Sequence, residues 1–135
     1  MKVREIPKSA KVVAGYLGTS PAHAGQLARY GIVGVRQEDG TILVPGWELG
    51  ETRKLSARLG CTITDAARLF TLRTIAIRLH QMWPQAGGVE YEPLQRKGAA
   101  ILWFLRRSKN QSIRQSLTRL AHDYGSGPGQ FLQTT

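Results

Sequence analysis

The sequence predicts a mainly α protein with a small β-hairpin, built as a compact head followed by an α-helical C-terminal domain. Three observations carry that prediction. Apolar residues recur at three- and four-residue steps in stretches that open on Ser or Pro and close on Gly. Two short β-branched runs, IVGVR and TILV, flank Asp39-Gly40. A chain of 135 residues can bury one modest core or two small ones that lean on each other.

In chain order, SAKVVAGYLGTS starts on Ser9, a good N-cap, and sets Ala10, Val13, Ala14 and Leu17 on neighbouring helical faces before Gly18 stops the helix. Ser20-Pro21 restarts it, because a Ser hydroxyl caps free N–H groups and Pro tolerates the first helical position. This second helix is expected over residues 21–30, with Gly31 as its left-handed stop. The three-residue turn GTS between the two helices is of the kind that joins crossing helices in a helix-turn-helix. Asp39-Gly40 predicts a tight hairpin turn with both central residues at positive φ. Pro45 then opens a third helix carrying Trp47, Leu49, Leu55 and Leu59 and ending at Gly60.

The stretches VVAGYLGTSPAHAGQLARYGIVGVR and TILVPGWEL resemble the winged helix-turn-helix of phage excisionases, which is similar to the DNA-binding head of mercury-resistance-type regulators. Ala14, Leu17, Gly18, Ser20, Arg29, Gly31, Val44 and Pro45 stand at the family's pattern positions, and the resemblance covers about the first fifty residues. The chain differs from that pattern in Pro21-Ala22 and Ala24-Gly25, where polar readers are usual, and in the acidic Glu38 and Asp39 of the wing. The domains expected are a winged helix-turn-helix at 1–50, a basic helical domain at 51–124 and a flexible tail at 125–135.

Within the second domain, CTITDAARLFTLRTIAIRLHQMW drawn as one helix points apolar side chains in every direction. That suits only full burial, against which Arg68, Arg73 and Arg78 argue. Split at TLR, the segment 63–82 reads either as a second helix-turn-helix or as a plain helix pair serving as core, and the sequence leaves both open. PQAGGVEYEP, residues 84–93, has the composition of a linker. A helical hairpin is expected over 94–124. Its first helix carries AAILWFL, with Trp103 in a core or a homodimer seam. Its second aligns Ile113, Leu117, Leu120, Ala121 and Tyr124 on one stripe.

Nineteen Lys and Arg against nine Asp and Glu give a net charge of +10, which draws the chain toward polyanions. The excess is concentrated late, with six basic and four acidic residues in 1–50 and thirteen against five in 51–135. No apolar run approaches membrane-spanning length, MKVREIPKSA has no secretory pattern, and the single Cys61 excludes an internal disulfide. A cytoplasmic, nucleoid-associated protein with no membrane partner is the expectation. His23, His80 and His122 share no metal-ligand spacing with Cys61 or an acid, and no phosphate-cradling Gly loop occurs. Glu90 and Glu92 around Tyr91 read as a solvated pair, so neither enzyme activity nor a cofactor is expected.

In a helix-turn-helix the second helix enters the major groove with its early residues at base edges, here Pro21, Ala22 and His23, with Gln26 one turn on. Gln26 suits adenine and Ala22 a thymine methyl, while Ser20 and Arg29 would hold phosphates. Arg36 and Thr41 flank the wing tip. Arg53, Lys54, Arg106, Arg107, Lys109 and Arg114 would neutralise phosphates beside the head. The function expected is double-stranded DNA binding, in a transcriptional regulator or an excisionase-like recombination accessory factor. A homodimer or higher oligomer through the C-terminal helices is expected with it. The alternatives are a phage DNA-packaging or plasmid-partition adaptor that multimerises through those helices, and an antitoxin or RNA-binding module.

Overall fold

The computed structural model of the chain describes residues 7–82 and 91–133. The fold is mainly α with a small two-stranded antiparallel hairpin. The chain divides into two compact units, Met1–Ala67 and Arg68–Thr135. The expected boundary at residue 50 is thus displaced: the third helix and the start of the fourth belong with the head.

In the first unit, α1 (Ala10–Leu17) is capped by Ser9, whose hydroxyl accepts from the Val12 N–H at 3.2 Å. Its apolar step buries Val13, Ala14 and Leu17. After the turn, α2 (Pro21–Arg29) buries Ala24, Leu27 and Ala28 and packs on α1. Gly31 stands past its end at φ 71°, where the Gly31 N–H donates to Ala28 O and the Ile32 N–H to Leu27 O. Those two bonds satisfy carbonyls that the helix end would otherwise leave open.

The strands β1 (Val35–Arg36) and β2 (Ile42–Leu43) pair with Val35 opposite Leu43 and Arg36 opposite Ile42. Their turn differs from the expected one. Gly40, at φ 86°, donates its N–H to Gln37 O, while Glu38 and Asp39 keep negative φ. A four-residue turn closed by a left-handed Gly replaces the two-residue form. Lys8 adds a short bridge on the far side of β2, exchanging backbone bonds with Ile42.

The entry to β1 is held in an uncommon conformation. Val33 sits at φ 56° with its side chain 2% exposed, so burial of a β-branched group offsets a left-handed backbone that costs about 1–2 kcal/mol. Gly34 follows at φ 91°, and a Cβ there would stand 2.7 Å from Ile42 Cγ2. α3 (Gly46–Leu59) follows, with Leu49 and Thr52 buried and Gly60 past its end at φ 62°.

The segment expected to break at TLR is one continuous helix, α4 (Ile63–Met82). Neither the second helix-turn-helix nor the helix pair forms. Its apolar residues serve two cores, which is why no single stripe is visible in the sequence. Ala66 and Ala67 belong to the first unit; Leu69, Leu72, Ile75, Ala76 and Leu79 belong to the second. Arg73 and Arg78 are exposed on the remaining face, and Arg68 lies over the Phe104 ring at 4.4 Å from its centroid.

In the second unit, α5 (Tyr91–Leu105) begins within the expected linker, whose residues 84–90, Glu90 included, lie outside the described residues. The amino-terminal residues 1–6 lie outside them too. α5 buries Ile101, Leu102 and Leu105. α6 (Gln111–Tyr124) is capped by Asn110, which accepts from the Ile113 N–H at 3.0 Å, and it buries Ile113 and Leu120. The expected flexible tail is instead a 3-10 segment, α7 (Gly127–Gln133), with Pro128, Gly129 and Leu132 buried. α7 packs on α5 and α6, and Gln95 Nε2 donates to Pro128 O at 3.0 Å. Gly98 accommodates the Phe131 ring: a Cβ at 98 would stand 2.7 Å from its Cζ.

Candidate nucleic-acid interface

The first unit presents one continuous exposed stripe on α2. Ser20 caps the helix through a 3.1 Å bond from the His23 N–H, so its hydroxyl is spent on the backbone. With Ala24, Leu27 and Ala28 turned inward, helical phase leaves Pro21, Ala22, Gln26 and Arg29 exposed. An amide, a guanidinium and two small apolar surfaces therefore share one open face. Ala22 and Gln26 are four residues apart and Gln26 and Arg29 three, so the three lie one above another along that face.

His23 departs from the expectation of an exposed reader. It is half-buried, and its Nε2 lies 2.7 Å from Thr64 Oγ1, in the first turn of α4. The ring ties α2 to that turn. A bond to a residue forty-one positions later leaves no trace in local sequence.

The hairpin is more acidic at its tip than a phosphate contact favours. Asp39 accepts from both the hydroxyl and the backbone N–H of Thr41. Those two bonds, the hydroxyl's first, hold its carboxyl below the usual range, so it is charged at neutral pH. Thr41 is thereby committed to closing the turn. Arg36, exposed on β1, is the remaining cation of the hairpin. On α3, Arg53 and Lys54 are exposed, with Lys54 Nζ 3.5 Å from Glu51 in a solvent-exposed pair of little energetic weight.

Tyr30 and Trp47 are each 64% exposed; Trp47, expected among the apolar residues of the third helix, joins Tyr30 on the outer surface of this unit. The signal was available in phase: Trp47 precedes buried Leu49 by two residues and so falls on the opposite side of α3. No family model, curated protein or solved structure matches the chain significantly.

In the second unit the basic candidates lie around the junction of α5 and α6, and the three arginines among them are each fixed differently. Arg106 is half-buried and its Nη2 donates to Leu132 O at 3.4 Å, holding α7. Arg107 is exposed; its Nη1 donates to Trp103 O at 2.7 Å and its guanidinium lies 3.3 Å from the centroid of the Trp103 ring. Lys109 is exposed, and Arg114, also exposed, donates from Nε to Ser108 O at 3.1 Å. Arg106 and Arg114 border an open groove of about 780 Å³ with Leu102, Leu117 and Leu132 on its floor. Trp103 lies outside the core of this chain. It is 52% exposed beside Phe104 at 49%, because burial of Ile101, Leu102 and Leu105 turns both rings outward.

Among the described residues no group of three or more His, Cys, Asp or Glu is arranged to hold a metal ion, and no helix is long and apolar enough to cross a membrane. Cys61 is half-buried. Burial, and then the nearby negative charge of Asp65, push its thiol above the ordinary value, which keeps it protonated and a poor nucleophile at neutral pH.

Proposed function

We propose that this chain binds double-stranded DNA through a winged helix-turn-helix head, as a transcriptional regulator or a recombination accessory factor, acting by position with no bond made or broken. The observation that carries the reading is the exposed stripe of α2: Pro21, Ala22, Gln26 and Arg29 stand outward on a capped helix whose opposite face is buried. A helix seated this way can enter a major groove, with Gln26 offering adenine both a donor and an acceptor and Arg29 reaching a phosphate. His23 acts as a positioning residue through Thr64, and Arg36 is the hairpin's contribution to the backbone contact. The anionic tip keeps the end of the hairpin away from phosphate. A second copy on the same duplex would double the site and set half-site spacing.

Selection of bound fragments from random duplex DNA tests the reading, followed by affinity at graded salt. Recovered fragments share a preferred sequence. Affinity falls by orders of magnitude between about 50 and 200 mM salt. Gln26→Ala flattens the preference between sites, whereas Arg29→Ala weakens all sites alike, by about tenfold. An affinity flat across that salt range, or equal behaviour of the two variants, overturns the proposal.

A further inference from the structure

On the second unit, two exposed aromatic rings are held in place by cations. Arg107 stacks on Trp103 at 3.3 Å, Trp103 meets Phe104 edge to face with centroids 5.0 Å apart and planes at 81°, and Arg68 lies over Phe104 at 4.4 Å. Arg107 is further anchored by its 2.7 Å bond to Trp103 O. The indole is thus oriented, with Arg107 over one of its faces and about half of the residue still open to solvent. Two adjacent exposed rings offer flat apolar surface to an occupant.

Charge selects what that is. The unit carries ten basic residues against three acidic ones, so a second copy of it meets repulsion, and an anionic occupant meets attraction. Of its described acids, Glu92 is in the first turn of α5, at the opposite end from Trp103, and Asp123 lies 3.1 Å from His122 near the end of α6. Lys109, five residues after Phe104, and Arg114, in the first turns of α6 with its Nε on Ser108 O, are both exposed and supply cations for a strand's phosphates.

We infer that Trp103 and Phe104 form a stacking platform for unpaired bases, with Arg107 and Arg68 orienting the rings and Lys109 and Arg114 holding the backbone of a single nucleic-acid strand. Each base has a π-face, so such a platform tolerates any sequence. This site is separate from the α2 stripe and does not depend on the duplex-binding proposal.

The test is fluorescence anisotropy of the full chain with a labelled oligothymidylate, an abasic oligomer of the same length and inorganic polyphosphate as competitor. The intact protein binds oligothymidylate more tightly than the abasic oligomer, and binding quenches tryptophan emission. Trp103→Ala weakens oligothymidylate binding by about ten- to a hundredfold, Trp103→Phe by less, and Gln26→Ala leaves it unchanged. Equal affinity for abasic and base-bearing strands means attraction to charge alone and overturns the inference. So does Trp103→Ala binding as the parent does, or a variant whose only change is lost capture of an acidic protein. Should Trp103→Ala fail to fold, the abasic comparison on the intact chain still decides. Failure of duplex selection with retained oligothymidylate binding would sink the proposed function alone.

Discussion

Single side chains here show how position changes chemistry that residue type alone suggests. Cys61 is the clearest case. Its folded thiol holds its proton more tightly than the unfolded chain's does, first through burial and then through Asp65. The linked stability is present below the ordinary thiol value and declines as pH rises from there through the folded one. Alkylation of the native protein should therefore follow a pH profile displaced to higher pH than that of a small free thiol, and Asp65→Asn should move it part of the way back. A profile coincident with the free thiol's would mean that neither cause acts. At this scale Ala22, Gln26 and Arg29 were legible, because helical phase around Ala24, Leu27 and Ala28 decides which way they point. His23 was not, since its partner Thr64 is supplied by tertiary structure. Trp103 was hidden for another reason: in a run as apolar as AAILWFL, phase is invisible until Ile101, Leu102 and Leu105 are known to be inside.

At the scale of elements, legibility followed punctuation. α1 and α2 carry their own start and stop signals, Ser9 and Gly18 for one, Ser20 and Gly31 for the other, and each signal makes the bond its chemistry implies. α3 is bounded similarly by Pro45 and Gly60. α4 lacks an amphipathic stripe because it serves two cores in succession, and a rule that expects one buried face reads that as a break. The continuity of α4 at Thr71-Leu72-Arg73 has a direct consequence for mutation. Arg73 is exposed, so Arg73→Gly should cost about 1 kcal/mol and Arg73→Pro about 3 kcal/mol or more, measured by denaturant unfolding. A turn at that position would tolerate both. The segment GSGPGQ misled for a related reason. Composition takes Gly as freedom, whereas Gly125 and Gly129 serve by lacking bulk, one against the Ala121 carbonyl and the other against the Tyr124 carbonyl.

For the molecule as a whole, the late concentration of positive charge becomes a difference between units. Residues 68–135 hold ten basic and three acidic residues, and residues 1–67 nine and six. In the proposed functions, the weaker charge of the first unit matches a reading role and the stronger charge of the second a hold on anionic backbone of any sequence. The core of that second unit reaches almost to its last described residue. Leu132 is 4% exposed, and Leu132→Ala should destabilise the unit by about 2–5 kcal/mol, seen as lost amide-exchange protection in α5 and α6. Unaltered exchange would mean that α7 is only draped on the surface.

The buried Leu132 also sets an order of events during synthesis. A ribosome delivers the chain from its amino terminus, so every core residue of the first unit is available while α5 is still being made. The second unit must wait for position 132 to emerge. Until then α5 lacks the cover of α7, and its apolar side is open to other chains.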